Sequence, residues 1–465
     1  MSLESLVTAF SVVVTAYFVL WNTSQFAMAG VAARYIWRYQ HRRTPRNLAL
    51  ASRLASPPFI SVIVPARNEA LTIVESVKAL LALDYEAREV VVVNDGSTDE
   101  TLQLLELTFG LVAAPLAFEQ PIPTAPVRGV YRSVADTGLV VIDKESGGCK
   151  ADACNAGINA ASGTLVLVID ADTMLEPDAL TRAATPFLEE TSTVACGGYV
   201  AIANGSRIEG GRLTDVAMPR SWFARFQIVE YMRSFLLFRL ACASYNGVPI
   251  ISGAFGLFRR DAVIEVGGYS HTAIGEDMDL TLRLQQHFRK RRRPIRIMFV
   301  PVPVCWTQGP EDWQSMRAQR CRWRRGLLQV FWRHRRMIGN PRYGIVGLGV
   351  LPYMAVFEGL GPLLEVSGYV ITTVAVLIGI LNWHHYRVLL AVSVLFGGAT
   401  TLVAVFMSDV ATRQYRRPRD LALLLAAAVF ESAGYRQLNS WWGCVGTWQA
   451  ATGKGGWGPM TRKAF

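Results

Sequence analysis

The sequence predicts an α/β domain built on a mostly parallel sheet and flanked by transmembrane helices. Three observations carry that prediction. Apolar residues make up 51% of the 465-residue chain, and the excess is confined to residues 6–29 and to the stretch after about Tyr343. Between those blocks, short apolar runs alternate with segments of helical spacing, the pattern of strands joined by crossover helices. The runs are continuous, as in REVVVVND and TLVLVID, so these strands are expected to be buried on both faces.

Residues 6–29 are long enough to cross a bilayer, which takes ~20 apolar residues. No positive charge precedes them and no small-x-small cleavage site is followed by a neutral mature start, so they read as a span and not as a removed leader. Arg34, Arg38, Arg42, Arg43 and Arg46 come next. Basic residues beside a span stay on the cytoplasmic side, which puts the N-terminus outside and the central block in the cytosol. The seven cysteines form no CxxC pair and no zinc spacing, as expected of reduced thiols; Cys149 and Cys154 read as packing residues. The net charge is +11, with basic clusters at 289–293, 317–336 and 413–419 beside apolar segments. That placement suits an anionic leaflet. No nucleic-acid motif accompanies it, so the expected partners include the lipid bilayer and no nucleic acid.

Within the central block, FISVIVP (59–65) is the first strand, and Leu71, Val74, Val77, Leu80 and Leu81 mark a helix over 70–83. REVVVVND leads into the turn GSTDE, where Ser97 and Thr98 are placed to cap a helix. TGLVVID (137–143) is the third strand, KADACNAGINAA (150–161) a small-residue helix, and TLVLVID (164–170) the fourth strand. Residues 109–132, rich in proline and alanine, read as an insertion loop. The expected division is a transmembrane helix at 1–33, a basic linker at 34–58, a cytosolic catalytic domain at 59–310, an amphipathic interface helix at 311–340, transmembrane helices at 341–440 and a tail at 441–465.

Ligands of parallel sheets bind at the carboxyl ends of the strands. Asp170 and Asp172 lie at such an end and, two apart in an extended chain, point the same way. Two neighbouring carboxylates repel near a low-dielectric core. A divalent cation relieves that repulsion, and an oxygen-only set with open positions suits Mg2+ or Mn2+ carrying substrate phosphates. A turn in which Asp170 caps the next segment is the other reading of this pair. Glu69 follows the first strand, Asp95 and Gly96 end the second, and Lys150 opens a helix behind Gly147 and Gly148. Four strand ends thus bring acids, a lysine and a glycine pair to one edge, a phosphate-and-metal site with room for a nucleotide.

The segments SVIVPARNE, VVVVNDGSTDET, KADACNAG, VIDADT, GEDMDLTLRL and QRCRW, in that order from about residue 61 to 323, together resemble the membrane-integrated family 2 glycosyltransferases, which include cellulose, chitin and hyaluronan synthases. The resemblance implies a glycosyltransferase A-type domain, an inverting reaction, a nucleotide-diphosphate sugar that is usually a UDP-sugar, and a divalent metal. By motif, Glu69 and Asp95 are implied to hold the uridine, Lys150 the nucleotide or diphosphate, and Asp170 and Asp172 the metal and diphosphate. Asp277 takes the general-base position, and Ser252 and Gly253 line the acceptor site. Gly275 stands where the family more often has threonine. Asp277 also has a plainer reading, as the cap of the helix at 278–288.

Gln319, Arg322 and Trp323 share one helix face at i, i+3 and i+4. Arg322 is implied to reach the diphosphate and Gln319 and Trp323 the acceptor sugar, with an interfacial anchor as the plainer role of Trp323. The basic amphipathic helix that carries them suits a membrane interface. In the C-terminal third, Gly361-Pro362 is expected to kink or split a helix, 388–407 is a clean span, and 421–433 is either a short final span or a segment lying against the others. Glu358 and Glu365 fall in apolar surroundings, where acids are expensive; they either line a passage for polymer or, for Glu365, sit inertly at an interface. The expected function is a metal-dependent processive synthase that elongates a β-linked polysaccharide and passes it across the plasma (inner) membrane, with UDP-sugar donor and growing polysaccharide as partners. The rivals are a non-processive transferase that adds one sugar to a lipid carrier or lipid headgroup, and a membrane scaffold or transporter that keeps a nucleotide-binding domain for regulation.

Overall fold

The computed structural model describes residues 2–42, 57–115, 118–209 and 212–453. Arg43 and Arg46, and the basic tail residues Lys454, Arg462 and Lys463, lie outside the described residues. Helix α1 (Leu3–Arg42) runs nine residues past the expected boundary at 33. It continues because Ala29, Ala32 and Ile36 are buried in the same apolar cluster as the central domain.

The central domain alternates strand and helix as far as β2: β1 (Ile60–Ala66), α2 (Ile73–Leu81), β2 (Arg88–Asp95) and α3 (Thr101–Phe109). The stretch expected as an insertion loop holds β3 (Leu111–Ala114) and part of β4 (Val127–Ser133), which pair antiparallel with each other. Then come β5 (Leu139–Lys144), α4 (Lys150–Ala160), β6 (Leu165–Val168), the two-residue β7 (Met174–Leu175), α5 (Ala179–Glu189) and β8 (Thr193–Ile202). A small ribbon of β9 (Arg207–Glu209) and β10 (Arg212–Asp215) precedes α6 (Trp222–Met232), which continues through a π-helical turn at Arg233–Arg239 into α7 (Leu240–Ser244). The domain ends with β11 (Gly256–Arg259), α8 (Arg260–Glu265), α9 (Glu276–Lys290) and β12 (Arg296–Thr307).

Among the described residues, ten strands form one sheet in the order β3-β4-β5-β2-β1-β6-β11-β8-β12-β7. The centre, β5-β2-β1-β6, is wholly parallel, with Val62 opposite Val90 and Leu167. The sheet as a whole is mixed, because β11 runs antiparallel to both β6 and β8 and the edges are antiparallel too. Val90, Val91, Val92 and Val93 are all fully buried, as a continuous apolar run requires when helices cover both faces. The small-residue helix α4 is small for a reason: nearly all of it is buried, and a side chain at Gly157 would collide with Ile63 of β1.

Helix α10 (Trp313–Arg333) leads to the apolar C-terminal helices α11 (Val346–Leu377) and α12 (Trp383–Thr412). With α1, these are the described helices long and apolar enough to cross a membrane. Pro362 does not stop α11. The ladder ahead of it shifts to π-helical spacing over Ala355–Leu360, and the Glu358 and Gly359 carbonyls accept from Arg324. Helix α13 (Pro418–Phe430) has only 13 residues and lies against α12 and α6. Helix α14 (Arg436–Thr452) means that the expected tail at 441–465 begins inside a helix. Its Trp442 is buried, 5.0 Å from the Trp313 ring, so α14 is clamped onto α10.

Buried ion pairs tie these helices together. Arg436 Nη2 donates to Glu365 Oε1 at 2.7 Å, and Ser440 and Tyr17 also donate to that carboxylate. Arg233 donates twice to Glu431, at 2.9 and 3.0 Å. Glu365 is therefore buried on α11 and bonded to two other helices, α1 and α14.

Candidate active site

The site forms where β1, β2, β5 and β6 end. The loop after β1 is held to the loop after β2: Asn68 N–H donates to Ser97 Oγ at 3.0 Å, Thr98 N–H to Asn68 Oδ1 at 2.8 Å, and Glu69 N–H to Thr101 Oγ1 at 2.9 Å. Ser97 and Thr98 thus face the neighbouring loop instead of capping α3, whose cap position is Glu100. Asn68 takes a left-handed φ of 56° to make this connection. Glu69 is buried beside Thr72, whose hydroxyl donates to it at 3.2 Å.

Asp95 ends β2 opposite Lys144, the last residue of β5. Lys144 is completely buried and donates to Asp95 Oδ1 at 2.9 Å, while it pairs with Asp152 Oδ1 at 2.5 Å. Gly147 N–H also donates to Asp95, at 3.1 Å, and Ala125 N–H to Asp152, at 3.0 Å. Lys144 and Asp152 were not singled out by sequence reasoning. A lysine at the end of a strand has no local signature until the fold sets an acid on each side of it. Gly96 has a φ of 62°, and a β-carbon there would lie 2.9 Å from Ser146 N, so the loops at this edge pack backbone to backbone.

The remaining groups form one contact chain. Lys150, the first residue of α4, pairs with Asp170 Oδ1 just past β6 and donates to the Gly253 carbonyl at 3.3 Å. Gly253 N–H in turn donates to Asp277 Oδ2 at 3.2 Å. Asp277 lies inside the first turn of α9, whose cap position is Gly275, and its other oxygen accepts from Met278 N–H at 2.7 Å. The helix-cap reading of Asp277 is therefore replaced by one in which the carboxylate is aimed at the 252–254 loop.

Charge and burial are balanced closely here. Burial, and then the neighbouring Asp170 charge, push Asp172 up to about 6. Burial, and then Asp277, push Glu276 up to about 7. Asp277 is raised by burial against the opposing pull of its Met278 hydrogen bond, Arg239 and Lys150. Arg322 is lowered by burial, against the opposing pull of the Glu276, Asp170 and Asp277 charges. Arg239, which the motifs did not flag, adds a second guanidinium beside Asp277, with Nη1 buried and unpartnered.

The donor set at Asp170 and Asp172 fits a divalent cation chemically. It offers two half-buried carboxylates whose mutual repulsion a cation relieves; Lys150 pairs with one of their oxygens, Asp170 Oδ1. Among the described residues no group of three or more acid, His or Cys side chains is placed to hold a metal, so phosphate or water oxygens would complete the shell.

Helix α10 brings its motif residues to a different wall. Gln319 Oε1 accepts from Gln227 Nε2 at 3.1 Å. Trp323 is 41% exposed, stacks at 6.4 Å on Tyr231, and has Arg320 4.6 Å from its ring centre. The far half of α10 grips the loop in front of α9: Gln329 accepts from Ile274 N–H at 2.8 Å and donates to the Thr272 carbonyl at 2.9 Å. His334 Nε2 lies 3.0 Å from Asp279 Oδ1. Lys150, Asp170, Gly253 and Asp277 are thus in direct contact and Arg322 acts on them, whereas Glu69, Asp95, Gln319 and Trp323 sit in adjoining networks. Ser252 turns the loop, its carbonyl accepting from Phe255 N–H at 3.0 Å.

The glycosyl transferase family 2 description matches residues 61–109, and glycosyl transferase family group 2 matches residues 165–408. The chain is 28% identical over 274 residues to a poly-beta-1,6-N-acetyl-D-glucosamine synthase of Staphylococcus aureus, covering 59% of this chain and 56% of the relative. It is 25% identical over 306 residues to the Staphylococcus epidermidis enzyme of that name, covering 65% and 63%. The match thus spans little more than half the length of the first of these relatives. Among solved structures, a mannosyltransferase from Pyrobaculum calidifontis in complex with GDP-Man and Mn2+ aligns over 91% of this chain and 99% of its own, with a TM-score of 0.54 and 19% identity. That likeness extends to the fold, a mixed-sheet glycosyltransferase domain flanked by membrane-length helices. With more than half of its length matched by one family description, the chain belongs to the family 2 glycosyltransferases.

Proposed function

We propose that this chain is an inverting polysaccharide synthase that transfers a sugar from a UDP-sugar to the end of a growing β-linked polymer and passes the polymer across the membrane. The carrying observation is the contact chain Asp170–Lys150–Gly253–Asp277, which connects the proposed diphosphate end of the site to the proposed acceptor end through one glycine. Inversion is a single displacement at the anomeric carbon. Asp277 takes the proton of the attacking hydroxyl, a contribution of typically about 10²–10⁴ in rate. Lys150 and Arg322 are preorganised cations for the charge that develops on the departing diphosphate. Asp170 and Asp172 would hold Mg2+ or Mn2+, which would supply Lewis-acid stabilisation of that same charge. Glu69 and Asp95 are assigned to the uridine, and Ser252, Gly253, Gln319 and Trp323 to the acceptor sugar.

The relatives named as poly-beta-1,6-N-acetyl-D-glucosamine synthases make UDP-N-acetylglucosamine the first donor to test. Arg34 and Arg38 at one end of α1, and Arg413, Arg416, Arg417 and Arg419 after α12, support a cytosolic catalytic domain in the plasma (inner) membrane. The proposed division is an N-terminal span, a cytosolic catalytic domain, the α10 interface helix and C-terminal spans. Purified protein in lipid, given a panel of UDP-sugars with UDP release and product length read together, tests the proposal. Polymer or an oligomer ladder supports it. A product that stays one sugar longer than a lipid acceptor assigns a non-processive transferase instead, and no UDP release from any donor overturns both.

A further inference from the structure

A cavity of about 450 Å³ opens where the end of α1 meets the central domain. Val31, Arg34, Tyr35 and Arg38 line it from α1. Their spacing of i, i+3, i+4 and i+7 puts them on one helix stripe. Arg296, Met298 and Phe299, at the start of β12, form the facing wall, and Tyr245 after α7 closes one side. The walls are fixed to each other, since Tyr35 Oη donates to the Phe299 carbonyl at 2.8 Å.

The position along α1 is informative. The hydrocarbon layer takes ~20 residues of a helix, and α1 has no charge between Glu4 and Arg34. Its last turns, carrying Arg34 and Arg38, therefore stand just beyond the hydrocarbon, at the depth of lipid headgroups. Arg34 and Arg38 are exposed and four residues apart, so both reach one point. Arg296 approaches from the other wall. The acids nearby are Glu189, which lines the cavity, and Glu190, paired with Arg296 at 3.0 Å. That pair is exposed on both sides, 44% and 45%, and such pairs are weak and exchangeable.

We propose that this cavity binds one anionic phospholipid, its phosphate among Arg34, Arg38 and Arg296 and its chains descending along the apolar stripe of α1 past Val31. The chemistry is that of guanidinium groups around a phosphate, with aromatic side chains at headgroup depth. It is separate from the nucleotide site, which no cavity-lining residue enters.

The test is native mass spectrometry of the full chain released from detergent micelles containing dioleoyl phosphatidylglycerol or dioleoyl phosphatidylcholine. The expected result is one retained phosphatidylglycerol, favoured roughly tenfold over phosphatidylcholine, the scale of a few basic residues at a headgroup. The combined Arg34→Gln, Arg38→Gln and Arg296→Gln variant should lose that preference, while an Arg416→Gln, Arg419→Gln control keeps it. Thr185→Trp, which narrows the cavity without changing charge, should also lose it. UDP binding in each preparation reports that the chain is folded. Equal retention by the triple-arginine and wild-type proteins would overturn the proposal. So would displacement of the lipid by millimolar inorganic phosphate, the mark of a soluble-anion site, or a folded wild-type protein that retains no phosphatidylglycerol, the result expected if the arginines serve only the ends of α5 and α7.

Discussion

The backbone N–H of Gly253 donates to Asp277 Oδ2 at 3.2 Å while its carbonyl accepts from Lys150. One residue without a side chain therefore touches both the proposed base and the lysine of the proposed diphosphate site. A β-carbon at Gly253 would lie 3.5 Å from Lys150 Nζ and 3.9 Å from Asp277 Oδ2, in the space between them. In the proposed mechanism, that is where a reacting hydroxyl and the anomeric carbon would meet. Gly253→Val is expected to leave the chain folded and UDP affinity near wild type, and to reduce turnover by roughly tenfold or more, since misplacement of reacting groups is costly in rate. Steady-state kinetics beside UDP calorimetry checks it; unchanged turnover contradicts the placement.

Removal of the metal is the second prediction. With Asp170 and Asp172 as its ligands, an excess of chelator and Asp172→Asn should each abolish transfer and leave the thermal midpoint essentially intact. Readdition of Mn2+ should rescue the chelated enzyme and not the variant. Full activity in chelator would leave Lys150 and Arg322 as the only diphosphate cations.

Lys144 carries a stability prediction. It is fully buried between Asp95 and Asp152, so Lys144→Met leaves two acids without their cation. Breaking a buried pair in this way costs about 3–5 kcal/mol. The variant should lose folded protein on heating in detergent well before wild type, and Asp152→Asn, which keeps a hydrogen-bonding oxygen, should lose less.

Glu276 makes a pH prediction with a defined sign. Its pKa rises from 4.5 to about 7 on folding, chiefly through burial. Between those values the native state holds a proton that the unfolded chain has lost, so the group's contribution to stability is present below about 4.5 and is lost as the pH rises through 7. Glu276→Gln should therefore raise the thermal midpoint more at pH 8 than at pH 5. An equal shift at both pH values contradicts this.

Much of this was legible because the chemistry lies in short motifs at strand ends. Lys150, Asp170 and Asp277 each sit where local sequence places them, and the structure brings them together. The continuous apolar runs gave the parallel centre of the sheet. The antiparallel β11 was missed because GLFR has no distinctive period and is a strand only through its neighbours β6 and β8. The partners of Asp95 and Glu365 were missed for the same reason. Lys144, Asp152 and Arg436 acquire their roles from contacts between distant segments, which no local pattern encodes. The end of α14 reads as tail in the sequence because its tryptophans and glycines form no apolar run of bilayer length; they pack on α10 and α11, Gly446 against Arg324 and Gly443 against Pro362.

The central claim is that Asp277 is the base, and Asp277→Asn isolates it. Asparagine keeps the size and one oxygen, which accepts from one of the Gly253 and Met278 N–H groups and not from both, and it takes up no proton. UDP affinity by calorimetry and polymer synthesis are to be measured on the same preparation. The account predicts UDP affinity near wild type with turnover lower by about two to four orders of magnitude, the pattern of an interaction made only in the transition state. Near-normal synthesis by the variant contradicts it and moves the base elsewhere, with Glu276 the nearest carboxylate.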